Sequence, residues 1–371
     1  MKIGYLLLFL MQTFIAAKKV FIDNDGLDAL QLLYPLYGGY EIVGLSMSFG
    51  SVSTVDGLGQ AYDLLANYNL SSCIPLYLGA EKPLMQTNET FQIHNQLFGA
   101  PVWEGAFASS YQDSYNWSDF TYENETPGAS ALIEAVKRYK DTDPVLIFAA
   151  GMMTTVAQAL SIYPRLAEEA AGLYIMGGYI DTQYAQATGN ALEVDINTDI
   201  NLIQDPEGAQ ITLTAPWKKL VIGGNFTNYI TPSQKLFDRI IDRAGNLSMI
   251  YNTPYLNPIQ TLIYDGNYTE NLTEALPYWD DAVAAIIGFP SLVLDSIDVK
   301  CAVDTAFYSP FYGNLRIWGK DFAPTSGIRI GNGTIINAIQ DDLLYDLMVE
   351  VLFTDWRQYC HTGNIFPFET L

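Results

Sequence analysis

Lys19-Val-Phe-Ile-Asp23-Asn-Asp25-Gly-Leu-Asp28 runs an apolar stretch straight into three acids set two and three residues apart. Val20, Phe21 and Ile22 read as a strand buried on both faces, and in open α/β sheets ligands collect where such strands end. Carboxylates gathered there repel one another and lose hydration, a charge that a bound divalent cation offsets directly. An Asx-rich turn is the competing reading, because Asn24, Asp25 and Gly26 all suit turn positions.

Working outward, helical spacing is predicted over residues 27–36, 55–68, 126–139, 153–163, 280–294 and near 343–359. Extended runs are predicted over 40–49, 74–78, 144–150, 172–178 and 220–224. Their alternation is the pattern of a mostly parallel sheet flanked by helices. No linker, repeat or low-complexity stretch divides the chain, so residues 18–371 are expected to form a single large α/β domain, catalytic if the acids bind metal. Residues 87–125 and 245–278 are polar and aromatic without periodicity, and read as surface excursions, either lids or decoration.

Residues 1–17 carry Lys2, an apolar run from Tyr5 to Phe14, and the small pair Ala16-Ala17. The run is short for a membrane span and reads as a signal peptide cleaved near Ala17. A secreted protein with no membrane association is therefore expected. Nine Asn-X-Ser/Thr sites, at Asn69, Asn88, Asn116, Asn124, Asn225, Asn246, Asn267, Asn271 and Asn332, suit an extracellular N-glycosylated surface. Three cysteines, Cys73, Cys301 and Cys360, allow one bridge and one leftover thiol; Cys301 with Cys360 is the plausible pair, though the sequence does not fix it. The net charge is −23, and its 18 bases are scattered, which excludes nucleic acid as a partner. Oligomeric state is left open, a homo-oligomer included.

Four ordered blocks carry a family resemblance: Ile22-Asp-Asn-Asp-Gly-Leu-Asp28; Ala150-Gly-Met-Met-Thr154-Thr-Val-Ala157; Ile175-Met-Gly-Gly178 followed by Asp199-Ile-Asn201-Leu-Ile-Gln-Asp205-Pro-Glu207; and Trp279-Asp280-Asp281-Ala282. Together they resemble the inosine/uridine-type nucleoside hydrolases over residues 19–294. The resemblance implies a small-molecule nucleoside substrate and a Ca2+ ion held by Asp25, Asp28, Asp280 and the backbone carbonyl of Thr154. It also makes Asp25 the general base. A metal-bound water would lose its proton to Asp25 and attack the anomeric carbon of an oxocarbenium-like ribosyl group, releasing base and ribose. Calcium favours such oxygen ligands and acidifies its water. Asp199 and Asn201 match ribose-binding residues, and Asn190 is a third candidate contact.

The chain departs from the family at several of these positions. Its opening is one residue shorter, lacks a proline and keeps one of two adjacent acids, which makes Asp23 an alternative ligand. Ser51 stands where many members carry a ribose-binding Asn. Trp279 stands where several carry a His that protonates the leaving base; here only His94 and His361 exist.

Structural roles are expected for other residues. Asp205-Pro-Glu207 is the signature of a helix N-cap. Gly177 and Gly178 suit close backbone approach. Asp281 reads as a helix cap rather than a ligand. Trp279 divides between core packing and a base-stacking platform. Two other functions compete with hydrolysis: a catalytically inactive nucleoside- or sugar-binding homologue, and a haloacid-dehalogenase-like phosphatase with Asp23 as nucleophile.

Overall fold

The computed structural model describes residues 18–101, 103–180, 199–246, 248, 277–324, 329–363 and 366–367. Residues 1–17, expected to be a signal peptide, and Asn190, Asn267 and Asn271 lie outside the described residues. A nine-stranded sheet organises the chain. Its strands are β1 (Lys18–Asn24), β2 (Tyr40–Met47), β3 (Leu76–Leu78), β4 (Leu146–Ala150), β5 (Gly172–Ile175), β6 (Leu220–Ile222), β7 (Val293–Val303), β8 (Leu315–Gly319) and β9 (Gly331–Ile339). The order is β3-β2-β1-β4-β5-β6-β9-β7-β8. Every pairing from β3 through to β9 is parallel, and β7 runs antiparallel to both β9 and β8.

The apolar run of β1 is continuous because both faces of the sheet are covered. Val20 and Ile22 enter one core and Phe21 the other. Phe148 and its neighbours Ile147 and Ala149 divide in the same way on β4. One face carries helices Ala29–Tyr37, Trp279–Gly288 and Asp341–Leu352; the other carries Gly128–Tyr139, Thr154–Ile162 and Pro206–Leu213. Strand order reverses at β1, which lies between β2 and β4, and the crevice at such a switch point is where open sheets bind ligands.

Two helices from opposite ends of the sequence meet beside that crevice. Helix Ala29–Tyr37 packs on Trp279–Gly288 so closely that a Cβ on Gly38 would stand 2.5 Å from the Gly288 Cα. Only glycines permit this contact, which joins the C-terminal ends of the two helices.

Several expectations are corrected. The helix predicted over 280–294 ends at Gly288, and Val293–Val303 is a strand. The helix predicted near 343–359 stops at Leu352, and a separate short helix follows at Tyr359–Thr362. Residues 87–125 are not wholly irregular, since Asn88–Phe98 is a helix with a capping box built from Thr87 and Thr90. Cys73, not Cys301, pairs with Cys360, across 287 residues of sequence. Cys301 is fully buried on β7 between Ile317 and Gly331, inside the sheet where no second cysteine comes near. Among the described Asn-X-Ser/Thr sequences Asn69, Asn88, Asn116, Asn124, Asn246 and Asn332 are exposed, and Asn225 is half-buried. Among the described residues no helix is long and apolar enough to cross a membrane.

Candidate active site

A cavity of about 410 Å³ opens at the carboxyl end of β1. Asp25 lies just past the strand, 2% exposed, where the chain bends. Asn24 shapes that bend: its Oδ1 accepts the amides of Asp25 and Gly26 at 2.7 and 2.9 Å. The Ser51 amide, after β2, donates to Asp25 Oδ2 at 2.7 Å. Two glycines make room for this carboxylate, since a Cβ on Gly50 would collide with Asp25 Oδ2 and one on Gly151 would reach its Cβ at 2.9 Å.

Asp28 caps helix Ala29–Tyr37, its Oδ1 accepting the Leu30 amide at 3.0 Å. Gln31, one turn on, receives the Asn24 amide and points its own Nε2 at Asp280 Oδ2, 3.4 Å away. Asp280 and Asp281 enter from the first turn of Trp279–Gly288. Asp25, Asp28, Asp280 and Asp281 thus line one cavity although the first and last are separated by most of the chain.

Asp199 caps the short helix Ile200–Ile203 and accepts the amides of Gly178 and Tyr179, the latter at 3.1 Å. Gly178 has φ +85°, and a side chain there would collide with Ile222, which explains the paired glycines after β5. Asn201 is buried, with its Nδ2 donating to the Met176 carbonyl at 3.1 Å. Both residues line the cavity, as does Trp279, whose indole N–H donates to Asn228 Oδ1 at 2.7 Å.

Other candidates lie elsewhere. Asp23 faces away from the cavity: its register partner on β2 is Ser46, and its carboxylate accepts the hydroxyls of Ser46 and Ser48. That closed network removes the grounds for Asp23 as metal ligand or phosphatase nucleophile. Thr154 is buried at the start of its helix with its hydroxyl donating to Asp205, and is not among the cavity's lining residues. Asp205 is the N-cap expected of it, with Pro206 as the first helical residue. Asp281 is not a cap, since helix Trp279–Gly288 begins at Tyr278 with no side-chain capping bond. His94 bonds the Ser309 carbonyl at 3.1 Å, away from the cavity, and no histidine is among the described residues lining it.

Sequence reasoning missed Trp103, 60% exposed at the cavity mouth, because the segment around it has no periodicity. Gln31 was legible in principle, lying three residues after Asp28 and so on the same helix face.

Electrostatically the site is under tension. Burial pushes the Asp25 carboxyl up to about 7, against the lowering effect of the Ser51 amide. Asp28 and Asp280 keep part of their surface open to the cavity, but the walls deprive them of bulk water, which raises both. Asp280 and Asp281 stand well above the ordinary carboxylate range, first through desolvation and then through neighbouring acids. Asp199 is raised by burial to about 6. Among the described residues no three of these acids close into a ready metal cage. Their chemistry nonetheless suits a hard cation: all donors are oxygens, and Asp281 Oδ1 is buried without a hydrogen-bond partner among the described residues.

Residues 20–322 match the family model described as inosine-uridine preferring nucleoside hydrolase. An uncharacterized Schizosaccharomyces pombe protein is 38% identical over 94% of this chain and 89% of its own length. The Arabidopsis thaliana protein called probable uridine nucleosidase 2 is 24% identical over 74% of this chain and 79% of its own. Among solved structures, a plant nucleoside hydrolase shares the fold with a TM-score of 0.65 at 20% identity, covering 91% of this chain and 99% of that one.

Proposed function

Because the chain belongs to the inosine-uridine preferring nucleoside hydrolase family, and so is a hydrolase of N-glycosyl compounds, we propose that it cleaves ribonucleosides to base and ribose with the aid of calcium. One observation carries this reading: Asp25, Asp199, Asn201, Trp279 and Asp280, drawn from three of the four sequence blocks, line a single cavity.

Asp25, Asp28 and Asp280 are the residues that would hold the ion, with the Thr154 carbonyl as the fourth ligand implied by the family. Bound calcium would neutralise buried charge and make a water more acidic. The protein's own groups do the rest. Ser51 fixes Asp25 Oδ2, so Oδ1 is the oxygen that takes the proton of the attacking water. The oxygen of that water bonds to the anomeric carbon, and the base departs with the electrons of the N-glycosidic bond. Asp199 and Asn201 hold the sugar hydroxyls.

The departing base requires a proton, and no histidine is placed to give one. The Trp279 N–H is engaged by Asn228, so the indole meets the base through its ring. Trp103 at the mouth offers a second aromatic wall. Base protonation then falls to solvent, favoured by stacking that makes the ring more basic.

We also propose that the protein acts outside the cell as a glycoprotein. The apolar leader, the exposed sequons and the Cys73–Cys360 bridge all support this, since such bridges persist in oxidising compartments.

The test is ribose release from a panel of purine and pyrimidine nucleosides, with chelator and then with calcium restored. Release that is lost with chelator and regained with calcium is expected. Binding without release from any nucleoside would favour the inactive homologue instead.

A further inference from the structure

Asp281 is an acid without an assigned task. It is 5% exposed, lines the cavity, makes no capping bond, and has one carboxylate oxygen buried with no hydrogen-bond partner among the described residues. Leaving a carboxylate buried and unmatched is among the most destabilising arrangements a fold can contain. Asp28, the cap of the facing helix, lines the same cavity. The Tyr34 hydroxyl, fully buried on the same helix as Gln31, is likewise without a partner among the described residues, and the charges of Asp281 and Asp28 both act on it. Two unmatched polar groups therefore border the acids of the cavity.

Helices Ala29–Tyr37 and Trp279–Gly288 pack closely where Gly38 meets Gly288, and Asp281, on the first turn of the second helix, is held almost fully buried at the cavity wall. Asp28 is also compromised as a ligand. The opening loop provides only one acid between Gly26 and its helix, and that acid has Oδ1 committed to capping. Asp281 projects from the facing helix into the same cavity with an uncommitted oxygen.

We propose that Asp281 is a direct ligand of the divalent cation, supplying from helix Trp279–Gly288 the carboxylate that the shortened opening loop lacks. This rests on the calcium reading above and adds a residue outside the ligand set that the family resemblance implies. A cation in the cavity would supply the partner that the Asp281 oxygen lacks.

The experiment uses the mature full-length protein and reads metal binding, not turnover. Calcium is titrated by calorimetry into wild type, Asp280→Asn and Asp281→Asn. Terbium then replaces calcium, and its luminescence lifetime in light and heavy water counts the waters on the bound ion. Asp281→Asn is expected to weaken calcium by at least roughly tenfold, to leave about one more water on terbium as a carboxylate oxygen is lost, and to raise the melting temperature of the metal-free protein. Wild-type calcium affinity and an unchanged water count in Asp281→Asn, alongside a loss in Asp280→Asn, would overturn this proposal and leave the calcium reading standing. Absence of calcium binding by wild type would overturn both. Should Asp281→Asn not fold, Asp281→Ser is measured in its place against the same outcomes.

Discussion

The Ser51 amide donates to Asp25 Oδ2 at 2.7 Å, tying the loop after β2 to the carboxylate after β1. The contact exists because residue 50 is glycine, where any Cβ would strike that same oxygen. Gly50→Ala should therefore swing Asp25 off its position while leaving the sheet intact. Displacements of about an ångström at a reacting group cost roughly 10²-fold in rate. A loss of kcat of that order, with a near-native circular dichroism spectrum, is the expected result; unchanged kcat would separate the Ser51 contact from catalysis.

Asp199 gives a pH signature. Burial raises its folded value to about 6 from an ordinary 3.8. A carboxyl that holds its proton more tightly in the fold favours folding at low pH, and that contribution is lost as pH rises from about 4 through about 6. The loss amounts to roughly 3 kcal/mol at about 1.36 kcal/mol per pKa unit. Asp199→Asn should consequently lose less stability than wild type between those pH values, measured by urea unfolding. Parallel pH curves would contradict the assignment.

Trp279 is predicted to act on the base, not on the sugar. Trp279→Ala should slow inosine hydrolysis roughly tenfold more than hydrolysis of nitrophenyl riboside, whose leaving group departs without a proton. The comparison is the pair of kcat/KM values for each protein. Equal losses would reduce Trp279 to a packing residue.

Asp205 should behave as scaffold. It accepts the Gly208 and Leu84 amides at 3.0 and 3.2 Å, and the Thr154 hydroxyl, which fastens helix Pro206–Leu213 to helix Thr154–Ile162. Asp205→Ala is expected to cost roughly 2 kcal/mol or more in unfolding free energy, from a lost cap and stranded donors. Activity well below the melting temperature should persist; its loss at unchanged stability would place Asp205 in the chemistry.

How much of this was readable depended on periodicity. The strands that carry the site, β1, β4 and β5, are unbroken apolar runs because helices cover both faces, and their ends mark the ligand crevice. β7 escaped notice because its first half is exposed and carries Asp295, Ser296 and Asp298, while glycines and Asn332 break the pattern of β9. The acids of the opening block were legible as a cluster. Their division of labour was not: Asp23 turns to serines on the neighbouring strand, and only the register of β1 on β2 reveals it. Asp281 resembled a cap because an acid near a helix start usually is one, and only its unmatched oxygen in the folded chain argues otherwise. Trp103 depends on tertiary placement of an aperiodic segment, and the Cys73–Cys360 bridge joins residues that no local pattern connects.

The most direct test of the account is ribose release by Asp25→Ala beside wild type, at saturating calcium and with folding verified by circular dichroism. The account predicts a folded variant at least about 10³-fold slower than wild type, since a proton acceptor and a metal ligand are lost together. A folded Asp25→Ala protein that releases ribose at the wild-type rate would contradict it.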